Sequence, residues 1–141
     1  MIHLLYRAGK AGVQVELIVR SVCCIIPGIE GIGENVTVRR IVDRFLEHSR
    51  LFIFGTGDEV HVFMGSADLM TRNLYHRIEV CFPVRDTNCR KELIDYFEMQ
   101  WADNSKAVQL LPDNKYMPVA NENGNTINAQ QSIYEYLKNK K

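Results

Sequence analysis

Two strand-like apolar runs, Leu51-Phe52-Ile53-Phe54 and Val60-His61-Val62-Phe63-Met64, are joined by Gly55-Thr56-Gly57-Asp58-Glu59, a pattern that predicts a β-hairpin. The hairpin is bracketed by polar groups: His48-Ser49-Arg50 opens the first run and Gly65-Ser66-Ala67-Asp68 closes the second. Antiparallel pairing brings these two brackets to the same end. Imidazole changes protonation near neutral pH and serves as nucleophile or general acid toward phosphoryl groups. The amides and hydroxyl of a Gly-Ser turn can receive an anionic oxygen, and a guanidinium can pair it bidentately. On spacing alone, the alternative is an ordinary hairpin with a capping histidine.

The flanking sequence predicts alternating helices and strands. Leu4, Leu5, Ala8 and Ala11 predict a short amphipathic helix closed by Gly12. Val13 to Ile25 then predicts an interior strand with Arg20 near its C-terminal end, and Pro27 to Glu34 a glycine-rich surface loop. Val36, Val38 and Ile41-Val42 predict an extended piece, with residues 40–47 open to a helical turn instead. Arg77 to Val84 predicts a strand, and Asn88 to Trp101 a helix with Leu93, Ile94, Phe97 and Trp101 on one face. Ala107 to Leu111 predicts a last short strand, Pro112 to Asn128 a polar loop, and Gln130 to Lys138 a terminal helix with Ile133, Tyr134 and Leu137 inward. The expected class is α/β, a mixed β-sheet flanked by helices. The 141 residues suit one domain, with a core over about residues 1–111 and a tail with terminal helix over 112–141.

Charge removes several function classes. Seventeen Lys and Arg balance seventeen Asp and Glu, which excludes a basic nucleic-acid footprint or an acidic tail. The longest apolar runs are far below the roughly 20 residues of a membrane helix. The opening Met1-Ile2-His3-Leu4-Leu5-Tyr6 lacks a secretory pattern, so the expected location is the cytosol. Cys23, Cys24, Cys81 and Cys89 have no metal-finger spacing and read as reduced, mostly buried small hydrophobes. Neither a P-loop nor a strand-linked G-x-G-x-x-G is present.

His48-x-Arg50, the turn with Asp58, the second apolar strand and Gly65-Ser66-Ala67-Asp68 resemble the H-x-K…D…G-S-x-N arrangement of the phospholipase D superfamily. Arg50 stands where that motif has Lys, and Asp68 where Asn is usual. With Leu17-Ile18-Val19-Arg20-Ser21-Val22-Cys23-Cys24, Arg44 to Arg50 and Ser66 to Asn73, the chain resembles the C-terminal, phospholipase-D-like catalytic domain of the bacterial polyphosphate kinase family over about residues 1–110.

The resemblance implies reversible transfer of the ATP γ-phosphate to inorganic polyphosphate, with ATP or ADP as substrate and Mg²⁺ present. It places the phosphohistidine and the Mg²⁺ ligands in a preceding domain of the same polypeptide, so this chain alone is expected to be inactive. It further implies a homo-oligomeric full-length protein in the cytoplasm, with the inner-membrane surface as an alternative station. Arg20 and His48 match the family's ATP-contacting arginine and histidine, His48 as the catalytic group, and Arg77 matches a third basic position near the phosphates. Arg50, Ser66 and Asp68 are supporting candidates; Asp68 suits orientation of a basic neighbour better than metal binding, because a lone carboxylate is a poor cation site. Arg39, Arg40 and Arg44 are candidates for a polyphosphate path or for a solvated face. His61 reads as an exposed strand residue, and His3 and His76 carry no argument. Two other readings stand beside the kinase: a dimeric phospholipase-D-like phosphodiesterase and a non-catalytic docking domain.

Overall fold

The computed structural model describes residues 1–121 and 124–140, so residues 122, 123 and 141 of the expected tail lie outside the described residues. Two compact units emerge, one made of Met1–Leu46 with Met99–Lys141 and the other of Glu47–Glu98. No helix among the described residues is long and apolar enough to cross a membrane.

In the first unit, α1 (Ile2–Lys10) runs into β1 (Val15–Ile18), which pairs in parallel with β2 (Val36–Ile41). Gly12 lets the chain reverse after α1, at φ 91°. Antiparallel β6 (Ala107–Leu110) and β7 (Tyr116–Pro118) complete a sheet of order β1-β2-β6-β7. Alternation decides what β2 buries: Val36, Val38 and Ile41 go inside. Val38 and Leu110 are fully buried and contribute about 1.5–3 kcal/mol each. They form a core with Val15, Ile25 and Val36, against which Ile2, Leu5, Tyr6 and Ala8 of α1 pack. Gly9 permits that approach, since a Cβ there would stand 3.2 Å from Val36 Cγ2. A second cluster, Ile41, Ala107 and Ala129, seats the start of α4 (Ala129–Asn139), whose cap is the Asn128 side chain accepting from the Gln131 amide at 2.8 Å.

The second unit holds the predicted hairpin. β3 (Leu51–Phe54) and β4 (His61–Gly65) pair antiparallel with Phe52 opposite Phe63, joined by a 3₁₀ turn over Gly57–Glu59. Then come α2 (Thr71–His76), β5 (Cys81–Pro83) on the far side of β4, and α3 (Thr87–Trp101). Val62 is buried, and Phe54 meets Phe63 edge to face at 6.0 Å. Sheets flanked by helices match the expected α/β class. His61 is exposed, as its alternation predicts.

Several boundaries differ from expectation. The strand expected to run to Ile25 stops at Ile18 and lies at the sheet edge. Beyond Val19, backbone groups are taken by side chains: Arg40 Nη2 donates to the Ser21 carbonyl at 2.7 Å, and the Ile26 amide donates to the Tyr6 hydroxyl at 2.8 Å. The strand expected from Arg77 narrows to Cys81–Pro83, because α2 ends only at His76. β7 follows β6, so the strand at Ala107 is not the last. In α4, Tyr134 and Leu137 are 57% and 52% exposed. Ile133 does face inward as expected, and the other inward positions are Ala129 and Tyr136, at helical spacing from the buried N-terminal end. The cysteines are free, but Cys24, Cys81 and Cys89 are exposed and only Cys23 is half-buried. Apolar neighbours in sequence did not translate into burial: Cys24 lies outside any helix or strand, Cys81 in a three-residue strand, and Cys89 on the open first turn of α3.

Candidate functional site

The hairpin brackets meet as predicted. At the mouth of β3, Arg50 Nε donates to Asp68 Oδ1 at 3.0 Å, and Nη1 donates to the His48 carbonyl at 2.8 Å. The same Nη1 lies 2.6 Å from His48 Nδ1 and 3.3 Å from Nε2. A guanidinium only donates, and a neutral imidazole has one acceptor nitrogen, so only one ring contact can be a hydrogen bond. Both distances being short, Nη1 lies against the ring and off the lone-pair line of either nitrogen, so this contact sets the place of the ring and not its tautomer. Arg50 thus holds both ends of His48, ring and carbonyl, while Asp68 holds Arg50. A lysine ammonium, a point charge on a flexible stem, lacks the planar fork that makes these contacts together. His48 is exposed, Arg50 and Asp68 half-buried.

Ser66 takes a different part from the one its motif suggests. Its amide donates to the Val80 carbonyl at 2.9 Å, and the Gly65 amide to the Arg50 carbonyl at 3.1 Å. The Ser66 hydroxyl accepts from the Val80 amide and donates to Glu79. Pairing around β4 therefore spends the donors that an anion at the Gly-Ser turn would need. Asn73, buried in α2, donates to Glu79 Oε1 at 2.7 Å.

Glu79, absent from the sequence-derived candidates, gathers these bonds. The Ser66 bond chiefly, then Asn73, holds its carboxyl below the usual range against partial burial, with Arg77 and Arg50 adding attraction. A folded-state pKa that is lowered gives stability present above the ordinary glutamate range and lost as pH falls through the folded value. Glu79→Gln is therefore expected to flatten the fall of Tm between about pH 5 and pH 3. Equal slopes in parent and variant would show that the carboxylate is not held. Arg77, exposed at the end of α2, influences Glu79 through space; among the described residues no ion pair joins them.

Arg20 belongs to the first unit, two residues beyond β1, in a segment pinned by Arg40 at Ser21 and by Tyr6 at Ile26. The three arginines considered for a polyphosphate path differ in engagement. Arg39 donates to the Trp101 carbonyl and lies 4.2 Å from that ring; Arg40 lies 4.3 Å from the Tyr116 ring. Burial lowers the Arg39 pKa, against attraction from Glu16. Both are structural braces, whereas Arg44 is exposed over Phe45. Among the described residues no three His, Cys, Asp or Glu side chains gather as ligands for a metal ion.

Comparison with known proteins places these features in context. A family model described as polyphosphate kinase C-terminal domain 2 matches residues 1–130. Polyphosphate kinase of Vibrio parahaemolyticus is 43% identical over 96% of this chain and 19% of its own length. That of Prosthecochloris aestuarii is 44% identical over 99% of this chain and 20% of its own length. The crystal structure of polyphosphate kinase from Porphyromonas gingivalis superposes with a TM-score of 0.92 at 44% identity, covering 97% of this chain and 21% of that one. The chain thus spans about a fifth of the length of the relatives it matches.

Proposed function

The chain belongs to the polyphosphate kinase family, and from that premise we propose that it carries part of an ATP site in a longer polypeptide that moves the γ-phosphate reversibly between ATP and polyphosphate. Arg20 and His48 contact the nucleotide phosphates, with Arg77 as a further basic contact. The attacking histidine, which becomes phosphohistidine, and the ligands of Mg²⁺ belong to the remaining four-fifths of the polypeptide. The observation that carries this reading is the Asp68–Arg50–His48 chain, which holds an exposed imidazole at the mouth of the hairpin.

The chemistry follows from those positions. Phosphoryl transfer is mostly positioning and charge neutralisation. A ring N–H of His48 can donate a hydrogen bond to a phosphate oxygen and stabilise the charge that grows there as the bond to the leaving group breaks, while Arg50 holds the ring in place. Arg20, on a segment pinned at both ends, neutralises charge on the phosphate oxygens. Such charge-assisted bonds contribute about 1.5–3 kcal/mol each, against an association cost of about 4–15 kcal/mol. Two or three of them leave nucleotide binding by the isolated chain weak, and the isolated chain inert.

Polyphosphate synthesis by the full-length polypeptide tests this. Arg20→Ala is expected to lower kcat/KM for ATP about 10–150-fold, the equivalent of one charge-assisted bond, and the 141-residue chain to make no polymer. Unimpaired synthesis by the variant removes Arg20 from the site and favours a docking role. Hydrolysis of a phosphodiester by the isolated chain would favour the dimeric phosphodiesterase.

A further inference from the structure

The segment Glu47-His48-Ser49-Arg50 divides its side chains between two sets of partners. His48 and Arg50 meet each other, and Arg50 meets Asp68. Glu47 and Ser49 turn instead to one phenol on α3: the Tyr96 hydroxyl donates to Glu47 Oε2 at 2.7 Å and lies 3.3 Å from Ser49 Oγ. This is the alternation of extended backbone, in which neighbours i and i+2 share a side. The backbone of His48 is therefore held from the residue before and the residue after by a half-buried group on a helix, while its ring is held from the other side by Arg50.

We propose that Tyr96 is a positioning residue for phosphoryl transfer, acting through Glu47 and Ser49 to set where His48 presents its ring. The inference rests on the assignment of His48 to the ATP site. Arg50 fixes the ring relative to its own segment; Tyr96 fixes that segment, which leads into β3, relative to α3. A shift of about 1 Å in a group that donates in the transition state lowers rate far more than it lowers ground-state binding. Tyr96 touches no substrate in this scheme, so its removal is read in turnover.

The test uses the full-length polypeptide and steady-state polyphosphate synthesis. Tyr96→Phe, which deletes one oxygen and keeps the ring, is expected to lower kcat about tenfold, with the KM for ATP changed less than about twofold. Glu47→Ala should reproduce this loss, whereas Glu47→Gln, whose amide oxygen still accepts from the phenol, should retain parental turnover. Asp86→Ala removes the carboxylate that caps the start of the same helix, where Oδ1 accepts from the Cys89 amide at 2.9 Å, and should leave kcat unchanged. In the residual rate of His48→Ala, a further Tyr96→Phe should cost nothing, because the group it positions is gone. Parental kcat in both Tyr96→Phe and Glu47→Ala overturns the proposal, as does an equal loss in Asp86→Ala, which would mark a general effect of helix stability. A multiplied loss in the double variant would also overturn it. If His48→Ala itself synthesises polymer at the parental rate, the underlying site assignment fails; if it is impaired while Tyr96→Phe is parental, only the positioning role fails.

Discussion

Replacing His48 by alanine in the full-length polypeptide is expected to lower ATP-dependent polyphosphate synthesis by about 10²–10³-fold, the range supplied by one preorganised hydrogen-bond donor to charge that develops in the transition state. That corresponds to about 2.7–4.1 kcal/mol of lost transition-state stabilisation. The side chain is exposed and touches chiefly Arg50, so the variant should fold, and its thermal unfolding should stay close to that of the parent. The loss should lie in kcat, because a hydrogen bond from the imidazole matters as the phosphate oxygen gains charge and much less before that. A folded His48→Ala protein that synthesises polymer within about threefold of the parent would remove His48 from the chemistry. The Asp68–Arg50–His48 chain would then be a structural clasp at the mouth of the hairpin.

The largest expected effect on stability belongs to Asp103, which is fully buried. One carboxylate oxygen accepts from the amides of Ser105, Lys106 and Ala107 at 3.0, 2.7 and 2.8 Å, and the other from the amide of Ala129 at 2.7 Å. The carboxylate thereby starts β6, begins α4 and ties the two together beside the cluster of Ile41, Ala107 and Ala129. Two of the four donors, on Ala107 and Ala129, are buried and would be left without water or partner in Asp103→Ala. At about 1–3 kcal/mol for each stranded donor, plus the lost bonds to the other two, the variant should be less stable by about 3–5 kcal/mol. Thermal unfolding of the chain followed by circular dichroism should register a fall in Tm of roughly 10–20 °C. Asp103→Asn should fall between, since its oxygen can serve one set of amides while its NH₂ opposes the other. A Tm within about 2 °C of the parent for Asp103→Ala would show that these bonds only replace equally good bonds to water.

What could be read in the sequence divides along the range of the forces involved. The hairpin was legible because apolar runs and a glycine-containing turn act locally, and its brackets foretold the meeting of His48, Arg50 and Asp68. α3 was legible for a similar reason, as its apolar face repeats at helical spacing. The truncation of β1 was hidden, because Arg40 and Tyr6 compete for backbone groups from 19 and 20 residues away. α2 was hidden too: its one buried side chain, Asn73, is polar and is held there by Glu79, a pairing that no periodicity announces. In α4, Ile133 was placed inward correctly but Tyr134 and Leu137 were not, because a buried alanine at the start of the helix, and not these larger side chains, decides how it is seated. Glu79 and Tyr96 share one explanation. Each owes its place to partners brought close by folding, and neither lies in a run of residues that suggests chemistry.

The division of side chains over residues 47–50 bears on how such a segment can change over evolutionary time. Single replacements there disturb one partner at a time, and the other side still holds the backbone. Insertion or deletion of one residue is different in kind, because it exchanges the two sides at a stroke and sends the imidazole toward the phenol and the acid toward the arginine. The spelling of these four positions is thus open to gradual revision, but their count is not.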